Sequence, residues 1–459
     1  MARGKKAAQG LTPEEKLAQA LVPVEEQPYQ IPENWCWTYI KFLFDVTSSK
    51  RVHKEDWTNT GIPFYRTREL VKLSEQGYVD NELFITEDLY DKIIADYGKP
   101  TAGDVLISGV GTIGVPYVVE NSTPFYFKDG NVIWFQNRKK CNAKYIYYLY
   151  KSLFMYNQIH GMSSGTTVDT YTIVNANGTM LPLPPLTEQQ RIVDRIESVF
   201  AKLDEAKEKA QAVVDGFELR KSAILHKAFM GELTAKWREE HGVTLDSWQH
   251  KKFSELCNIV RGGSPRPAGN PEFYDGSIPF MKVADITQNN SPFVSTTEYT
   301  IKEAGLKKTR MVDENTLLLT NSGATLGVPA ITKIRTTFND GIAAFLNLKS
   351  ENLMFFYYFW TSKTLELRGI NKGAAQPNLN TNIIGNVEID LPTEAEQSQI
   401  VVELDRLINK EDQAKEAAES VLNQIDTMKK AVLARAFRGE LGTNDPSEES
   451  AVELLKTML

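Results

Sequence analysis

Several loops concentrate the side chains that read base edges and phosphates. Ser48, Ser49, Lys50 and Arg51 follow one another, Arg66 and Arg68 flank Thr67, and Ser163, Ser164, Thr166 and Thr167 surround Gly165. Further along, Arg261, Ser264 and Arg266 stand among Gly262, Gly263 and Pro265, Lys282 follows Phe280-Met281, and Lys372, Gln376, Asn378 and Asn380 share one stretch. Arginine and lysine pair with phosphates and guanine edges, asparagine and glutamine with adenine, and hydroxyls with either. Double-stranded DNA is therefore the ligand these types suit. A single loop of this kind is ordinary solvated surface, so the weight falls on the set.

Catalytic motifs fail by contrast. Gly109, Gly111 and Gly114 match the spacing of a dinucleotide-binding loop, but such a loop must open a helix. Here Val115-Pro116-Tyr117-Val118-Val119 follows, a strand pattern, so a tight turn between strands is expected. No phosphate-binding GxxxxGK[ST] or zinc-binding HExxH occurs. His53, His160, His226, His241 and His250 show no ligand spacing. The sole Asn-Pro pair, Asn270-Pro271, continues as Glu272-Phe273, not as the Asn-Pro-Pro-Tyr/Phe loop of amino-methyltransferases. No catalytic, cofactor-binding or metal-ligating residue is assigned, and the chain is expected not to be an enzyme.

Composition sets the frame. A chain of 459 residues allows roughly three domains at ~150 residues each. Cys36, Cys141 and Cys257 are three and far apart, which suits neither a disulfide framework nor a zinc knuckle. No apolar run approaches the ~20 residues of a membrane span, and no apolar core follows Arg3, Lys5 and Lys6 as in a secretory signal. A cytoplasmic protein without a membrane partner is expected. The net charge of −7 counts against non-specific nucleic-acid binding, yet acidic partner-facing helices can outweigh a local basic groove.

The elements that would position the loops come in two copies. Ile62-Pro63-Phe64 recurs as Ile278-Pro279-Phe280, Gly114-Val115-Pro116 as Gly327-Val328-Pro329, and Ala228-Phe229 before Gly231-Glu232-Leu233 as Ala436-Phe437 before Gly439-Glu440-Leu441. The offset narrows from 216 to 208 residues and then stays fixed from Gly165/Gly373 to Leu233/Leu441. Length therefore matters in the last part of each copy. The polar stretch Thr166–Thr172 matches Ala374–Asn380 in this register, which strengthens the DNA reading of both.

The fixed part reads as one long helix over 187–231 and another over 394–439. Thr187 with Gln190 and Thr393 with Glu396 have capping-box spacing, and Gly231 and Gly439 suit the ends. Ile192, Ile196, Val199, Leu203, Ala206, Ala210, Val213, Phe217 and Ile224 form a seam at alternating steps of four and three, broken at Arg220. The second seam is Ile400, Leu404, Leu407, Ala414, Ala418, Val421, Ile425, Met428 and Val432, with Glu411 where Leu203 stands in the first. That spacing is a coiled-coil seam. About 44 residues at 1.5 Å each run ~66 Å. Antiparallel pairing would give one chain an approximate twofold.

The expected fold class is mixed α/β, two globular recognition domains joined by two long antiparallel helices in an internal pseudo-twofold repeat. The expected partition is 1–30, an extension with a helix from Pro13 to Val22; 31–186, a mixed domain; 187–231, a spacer helix; 232–247, a linker; 248–393, a second mixed domain; 394–439, a second spacer helix; and 440–459, a tail. Leu454, Leu455, Met458 and Leu459 suggest that the tail docks on a partner. Aromatics at 145–150 and 355–360 are read as core.

With the two domains, their Ile-Pro-Phe and Gly-Val-Pro motifs, Leu181-Pro182-Leu183-Pro184-Pro185-Leu186-Thr187-Glu188-Gln189-Gln190 and the two Gly-Glu-Leu endings on the page, the layout resembles the specificity subunit of a type I restriction-modification system. The resemblance spans about 31–442. It implies that each mixed domain recognises one half of a split DNA site while the helices hold the domains apart. It implies two methyltransferase subunits docked on this scaffold, which two motor-nuclease subunits can join, and an adenine target in each half-site. S-adenosylmethionine, ATP and Mg²⁺ would belong to those partners, with no cofactor in this chain. The competing readings are a coiled-coil scaffold that binds only proteins and a nucleotide-dependent enzyme built on Gly109–Gly114.

Overall fold

The computed structural model describes residues 11–459 apart from 121–122, 139–140, 163–168, 324 and 371–377, with backbone only at 370. The chain divides into two compact units, one running to Lys209 and resuming over Ser420–Leu459, the other Ala210–Glu419. The division runs through the long helices, so each unit owns a mixed domain, one end of the first helical segment and the opposite end of the second.

In the first unit, Asp45–Thr47, Val132–Gln136, Val105–Ser108 and Pro116–Val118 form a four-stranded antiparallel sheet in that spatial order. Phe84–Ile85, Ile62–Tyr65 and Tyr126–Phe127 form a smaller one, its last pair parallel. Cys36–Tyr39 pairs with Met180–Leu183. Val105–Ser108 and Val132–Gln136 are buried throughout, which explains their lack of apolar/polar alternation. Tyr145, Ile146, Leu149 and Tyr150 of the helix Ala143–Tyr150 belong to the core.

The second unit repeats the plan. Asn258–Arg261, Ile342–Leu346, Leu317–Thr320, Pro329–Thr332 and Phe293–Val294 form one sheet, and Gln249–Lys252 pairs with Glu388–Leu391. In both units the glycine-rich turn joins antiparallel strands, as expected. A strand-end hydroxyl fastens each turn. Ser108 Oγ donates to the Thr112 carbonyl at 2.6 Å and accepts from Val115 N at 2.8 Å. Thr320 Oγ1 does the same with Thr325 and Val328 at 2.7 and 2.9 Å.

The long helices run antiparallel within each unit. In the first, Lys429 Nζ meets Asp204 at 2.5 Å and lies 5.1 Å from the centre of the Phe200 ring. In the second, Arg220 Nε meets Glu411 Oε2 at 2.7 Å and Lys415 Nζ lies 4.7 Å from the Phe217 ring. The two residues that break the seams thus pair with each other. In the 208-residue register their counterparts are Met428 and Leu203.

Three details depart from the sequence reading. The first helix is Leu186–Asp215 followed by Phe217–Phe229, interrupted at Gly216. Arg220 Nη2 donates to the Val213 carbonyl at 2.8 Å, taking the acceptor that residue 217 would use. Gly216 lacks the Cβ that would strike Arg220 Nη1. Thr187 lies inside the helix rather than capping it, and its hydroxyl donates to Glu448 at 2.7 Å. The seam also splits. Ile196, Ala210, Phe217, Leu404, Ala418 and Ile425 are buried, whereas Ala414, Val421 and Met428, spaced seven apart, are exposed. Ile192 and Ile400 are buried at the helix starts, and Val199, Leu203, Ala206, Val213, Ile224, Leu407 and Val432 are half-buried. In the second helix one column is thus covered and the other turns outward, whereas in the first helix no seam residue is exposed.

The connecting segments are built in. Residues 232–247 include the helix Ala235–His241, whose Arg238 is buried. Its Nη1 meets Glu396 Oε1 at 2.6 Å, and the same carboxylate accepts from Thr234 and Trp248 at 2.8 Å each. Glu396 therefore does not reach back to cap its own helix; Thr393 Oγ1 alone accepts from Glu396 N, at 3.4 Å. Glu188, one repeat earlier, is equally buried and accepts from Thr443 and Arg191 at 2.7 Å each. The C-terminal helix Ala451–Met458 docks on its own unit instead of outward, burying Ala451, Leu455 and Met458 beside Ala20 and Leu43. The N-terminal helix is Pro13–Ala20, with a capping box between Thr12 and Glu15.

Candidate nucleic-acid interface

In the second unit Arg261, Ser264 and Arg266 converge on one residue. Arg261 Nε donates to the Asp340 carbonyl at 2.5 Å, Ser264 Oγ to its carboxylate at 2.6 Å, and Arg266 Nη2 lies 3.7 Å from the other oxygen. Arg310 Nε donates to the Arg261 carbonyl at 3.0 Å. The loop is held by close backbone approach: a Cβ at Gly262 would strike the Phe338 and Asn339 carbonyls, and one at Gly263 the Lys308 carbonyl. Three arginines and one carboxylate share this loop, a net positive surface on which the Arg266 side chain is 74% exposed. Lys282 precedes the helix Val283–Thr287; its N–H donates to Asp285 at 2.6 Å and its ammonium lies 3.1 Å from the Tyr299 ring centre.

The first unit holds its cations differently. Arg51 Nε meets Asp129 at 3.0 Å with its side chain 69% exposed, and Lys50 Nζ lies 4.9 Å from the Tyr97 ring. Arg66, at the place of Lys282, grips Glu69 through Nε and Nη2 at 3.1 and 2.8 Å. Arg68 reaches the same carboxylate and Glu82 at 2.8 and 2.7 Å. Burial alone would raise the Glu69 pKa, but hydrogen bonds from Arg66 and Arg68 outweigh it and hold the carboxyl down at about 2.

Several expected base readers are spent inside the fold. Ser48 Oγ donates to the Val132 carbonyl at 2.8 Å and Ser49 Oγ to Phe127 at 2.6 Å. Ser264 is tied to Asp340, and Arg66 is committed to Glu69. Asn380 caps the helix Thr381–Gly385, accepting from Ile383 N at 2.9 Å. Hydroxyl and amide types serve turns and caps as readily as bases, which sequence alone does not separate. Ser163, Ser164, Thr166, Thr167, Lys372 and Gln376 lie outside the described residues. Of the described neighbours, Thr170 bridges Val110 and Asn378 bridges Ser322, each beside a glycine-rich turn. Of the arginines in these loops, Arg51, Arg68, Arg261, Arg266 and Arg310 are exposed.

Sequence reasoning missed Arg310, Tyr299, the two buried glutamates and Asn321. Asn321 begins the second turn fully buried, with neither amide atom hydrogen-bonded, where the first unit has Gly109. Glu188-Gln189 and Glu396-Gln397 stand in exact repeat register, and that signal was available. Burial pushes the thiols of Cys36, Cys141 and Cys257 up to about 12, away from nucleophilic use. Among the described residues no group of His, Cys, Asp and Glu could hold a metal ion, and no helix is long and apolar enough to cross a membrane.

Twin mixed domains with fixed cationic loops, tied to antiparallel helices, define a DNA-recognition class of protein. The Type I restriction modification DNA specificity domain matches residues 32–214 and 246–424, and the chain belongs to that family as a type I specificity subunit. Over 437 residues it is 22% identical to the type I restriction enzyme EcoKI specificity subunit of Escherichia coli K12, covering 90% of each chain. Over 331 residues it is 26% identical to the EcoBI specificity subunit of Escherichia coli, covering 66% of this chain and 69% of the other. The HsdS subunit from Thermoanaerobacter tengcongensis shares the fold, with a TM-score of 0.65 at 20% identity over 91% of this chain and 100% of that one.

Proposed function

We propose that the chain reads a bipartite, asymmetric DNA site, one half through each mixed domain, and scaffolds two adenine-N6 methyltransferase subunits that two motor-nuclease subunits can join. The observation that carries this is a recognition domain present twice with different residues at matching places. Of the arginines in these loops, Arg51 and Arg68 are the exposed ones of one domain and Arg261, Arg266 and Arg310 those of the other, a difference that supports unlike half-sites; a homodimer of identical domains would read a palindrome. The scaffold reading is supported by the outward column Ala414, Val421 and Met428, apolar positions that a partner helix would cover. The chain itself takes the recognition role. S-adenosylmethionine, ATP and Mg²⁺ come with the partners, and the cytoplasm, where bacterial DNA lies, is the place of action.

Selection of random DNA by the purified methyltransferase complex tests this. The expected result is two short defined segments separated by an undefined spacer of fixed length. Arg266→Ala should weaken the second segment by ~1–3 kcal/mol if the side chain reads a base, leaving the first untouched. A continuous site, a palindrome, or assembly on the methyltransferase without sequence selectivity would contradict the proposal; the last would favour the protein-only scaffold.

A further inference from the structure

The two repeats differ in one groove. In the second unit, Leu219, Ala223, Phe229 and Met230 of the helix Phe217–Phe229 and its end face Phe359 and the strand Glu388–Leu391 across a groove of about 510 Å³. Leu219 is 76% and Met230 58% exposed. The matching place in the first unit lies beside Phe437, Arg438 and the strand Met180–Leu183. The correspondence is close: Phe229 and Phe355 rings lie 5.5 Å apart, and their counterparts Phe437 and Tyr145 lie 5.4 Å apart.

The first unit fills its own groove with the N-terminal extension. Val22 N donates to the Trp37 carbonyl at 3.0 Å, and Leu21 bridges Thr38. Tyr29 stacks edge-on against Trp37 and Phe154 at 4.9 and 5.4 Å, while its hydroxyl donates to the Phe437 carbonyl at 3.1 Å. Arg438 lies 5.4 Å from the same ring. The second unit has no such covering strand among its described residues. In place of Trp37 it has exposed His250, and in place of Met180 and Pro182 it has Glu388 and Asp390. Glu366 adds a third carboxylate to the rim, paired with Lys363 at 2.8 Å, and His250 meets Asp390 at 2.8 Å.

We propose that the groove of the second unit receives an extended, cationic, ring-bearing segment of a partner protein, in the manner that Leu21–Tyr29 covers the first. The acidic rim decides the occupant. A second copy of this chain would offer Glu25 and Glu26 to Glu388 and Asp390, a like-charge contact. A partner segment with lysine or arginine there meets opposite charge, and a ring seats over Phe229 as Tyr29 does beside Phe437. Among the described residues one groove of this matched pair is covered and the other open, so partners docking on the two units are not equivalent.

The test uses the full-length chain and two labelled peptides of residues 18–31, one with the native sequence and one carrying Glu25→Lys and Glu26→Lys. The lysine peptide should bind at least about ten-fold more tightly than the native one, with the advantage fading at high salt. Glu388→Lys with Asp390→Lys should reverse that order. Ser222→Trp, on the exposed helix face lining the groove, should abolish binding of both while the melting temperature holds. Equal or tighter binding of the native peptide would assign the groove to a second copy and overturn the proposal. So would binding of neither peptide, or binding that Ser222→Trp leaves unchanged.

Discussion

The Glu69 carboxylate shows how one charge serves the fold before it serves DNA. It is 2% exposed and accepts from both Arg66 and Arg68. Its folded pKa of about 2 lies below the ~4.3 of an unfolded glutamate. The sign follows directly: the stabilisation is complete above ~4.3 and is lost as pH falls through about 2. Glu69→Gln should flatten the acid limb of the stability profile, by up to about 3 kcal/mol, read by urea unfolding from pH 6 to 2. An unchanged acid limb would remove Glu69 from the account. Arg66→Ala should lower stability by ~1–3 kcal/mol by leaving a buried acceptor short of a donor. DNA affinity measured on the folded fraction should then hold; a loss of first-half-site binding without loss of stability would restore Arg66 as a base reader.

At the scale of elements, the long helices hold the chief surprise. Arg220 and Glu411 read in sequence as two independent flaws in two seams, and the structure makes them one contact. Each side chain is part-exposed, so the pair contributes modestly in itself, but removing one partner strands the other. Arg220→Met or Glu411→Leu alone should destabilise. The double variant, which installs the residues that stand at Met428 and Leu203, should match or exceed the native melting temperature. Additive losses in the double variant would mean the pair is not coupled. The seam was legible as a pattern of fours and threes, but which of its two columns faces inward was not. Periodicity counts apolar residues and carries no direction, so Val421 and Ile425 look alike in sequence and differ in exposure. The interruption at Gly216 was equally hidden, because it needs Arg220 to reach the Val213 carbonyl.

At the scale of the whole molecule, the internal repeat was the legible feature, and it is why the fold class could be stated at all. Repetition exposed the strand nature of the Gly109–Gly114 turn and the two long helical segments. It did not reveal the closures at the two helix starts. Glu188 and Glu396 match, yet their partners come from Thr443 and Glu448's neighbour Arg191 in one unit and from Thr234, Arg238 and Trp248 in the other. Nor could it sort the polar loops, since a serine that fastens a strand and one that faces DNA have the same composition. If the helices set the distance between half-sites, deleting seven residues from each, in repeat register, removes ~10 Å of helix. The spacer in the recognised DNA should then shorten by about three base pairs at 3.4 Å each. An unchanged spacer would show that the helices are not the ruler.

The central claim, that this chain directs adenine methylation to a split asymmetric sequence, is tested most directly by mapping N6-methyladenine across the host genome with the gene intact and deleted. The account predicts that deletion erases one bipartite, non-palindromic motif, modified on both strands, and leaves every other methylated motif in place. A methylome unchanged by deletion, with the partner methyltransferase shown to be expressed, would contradict it.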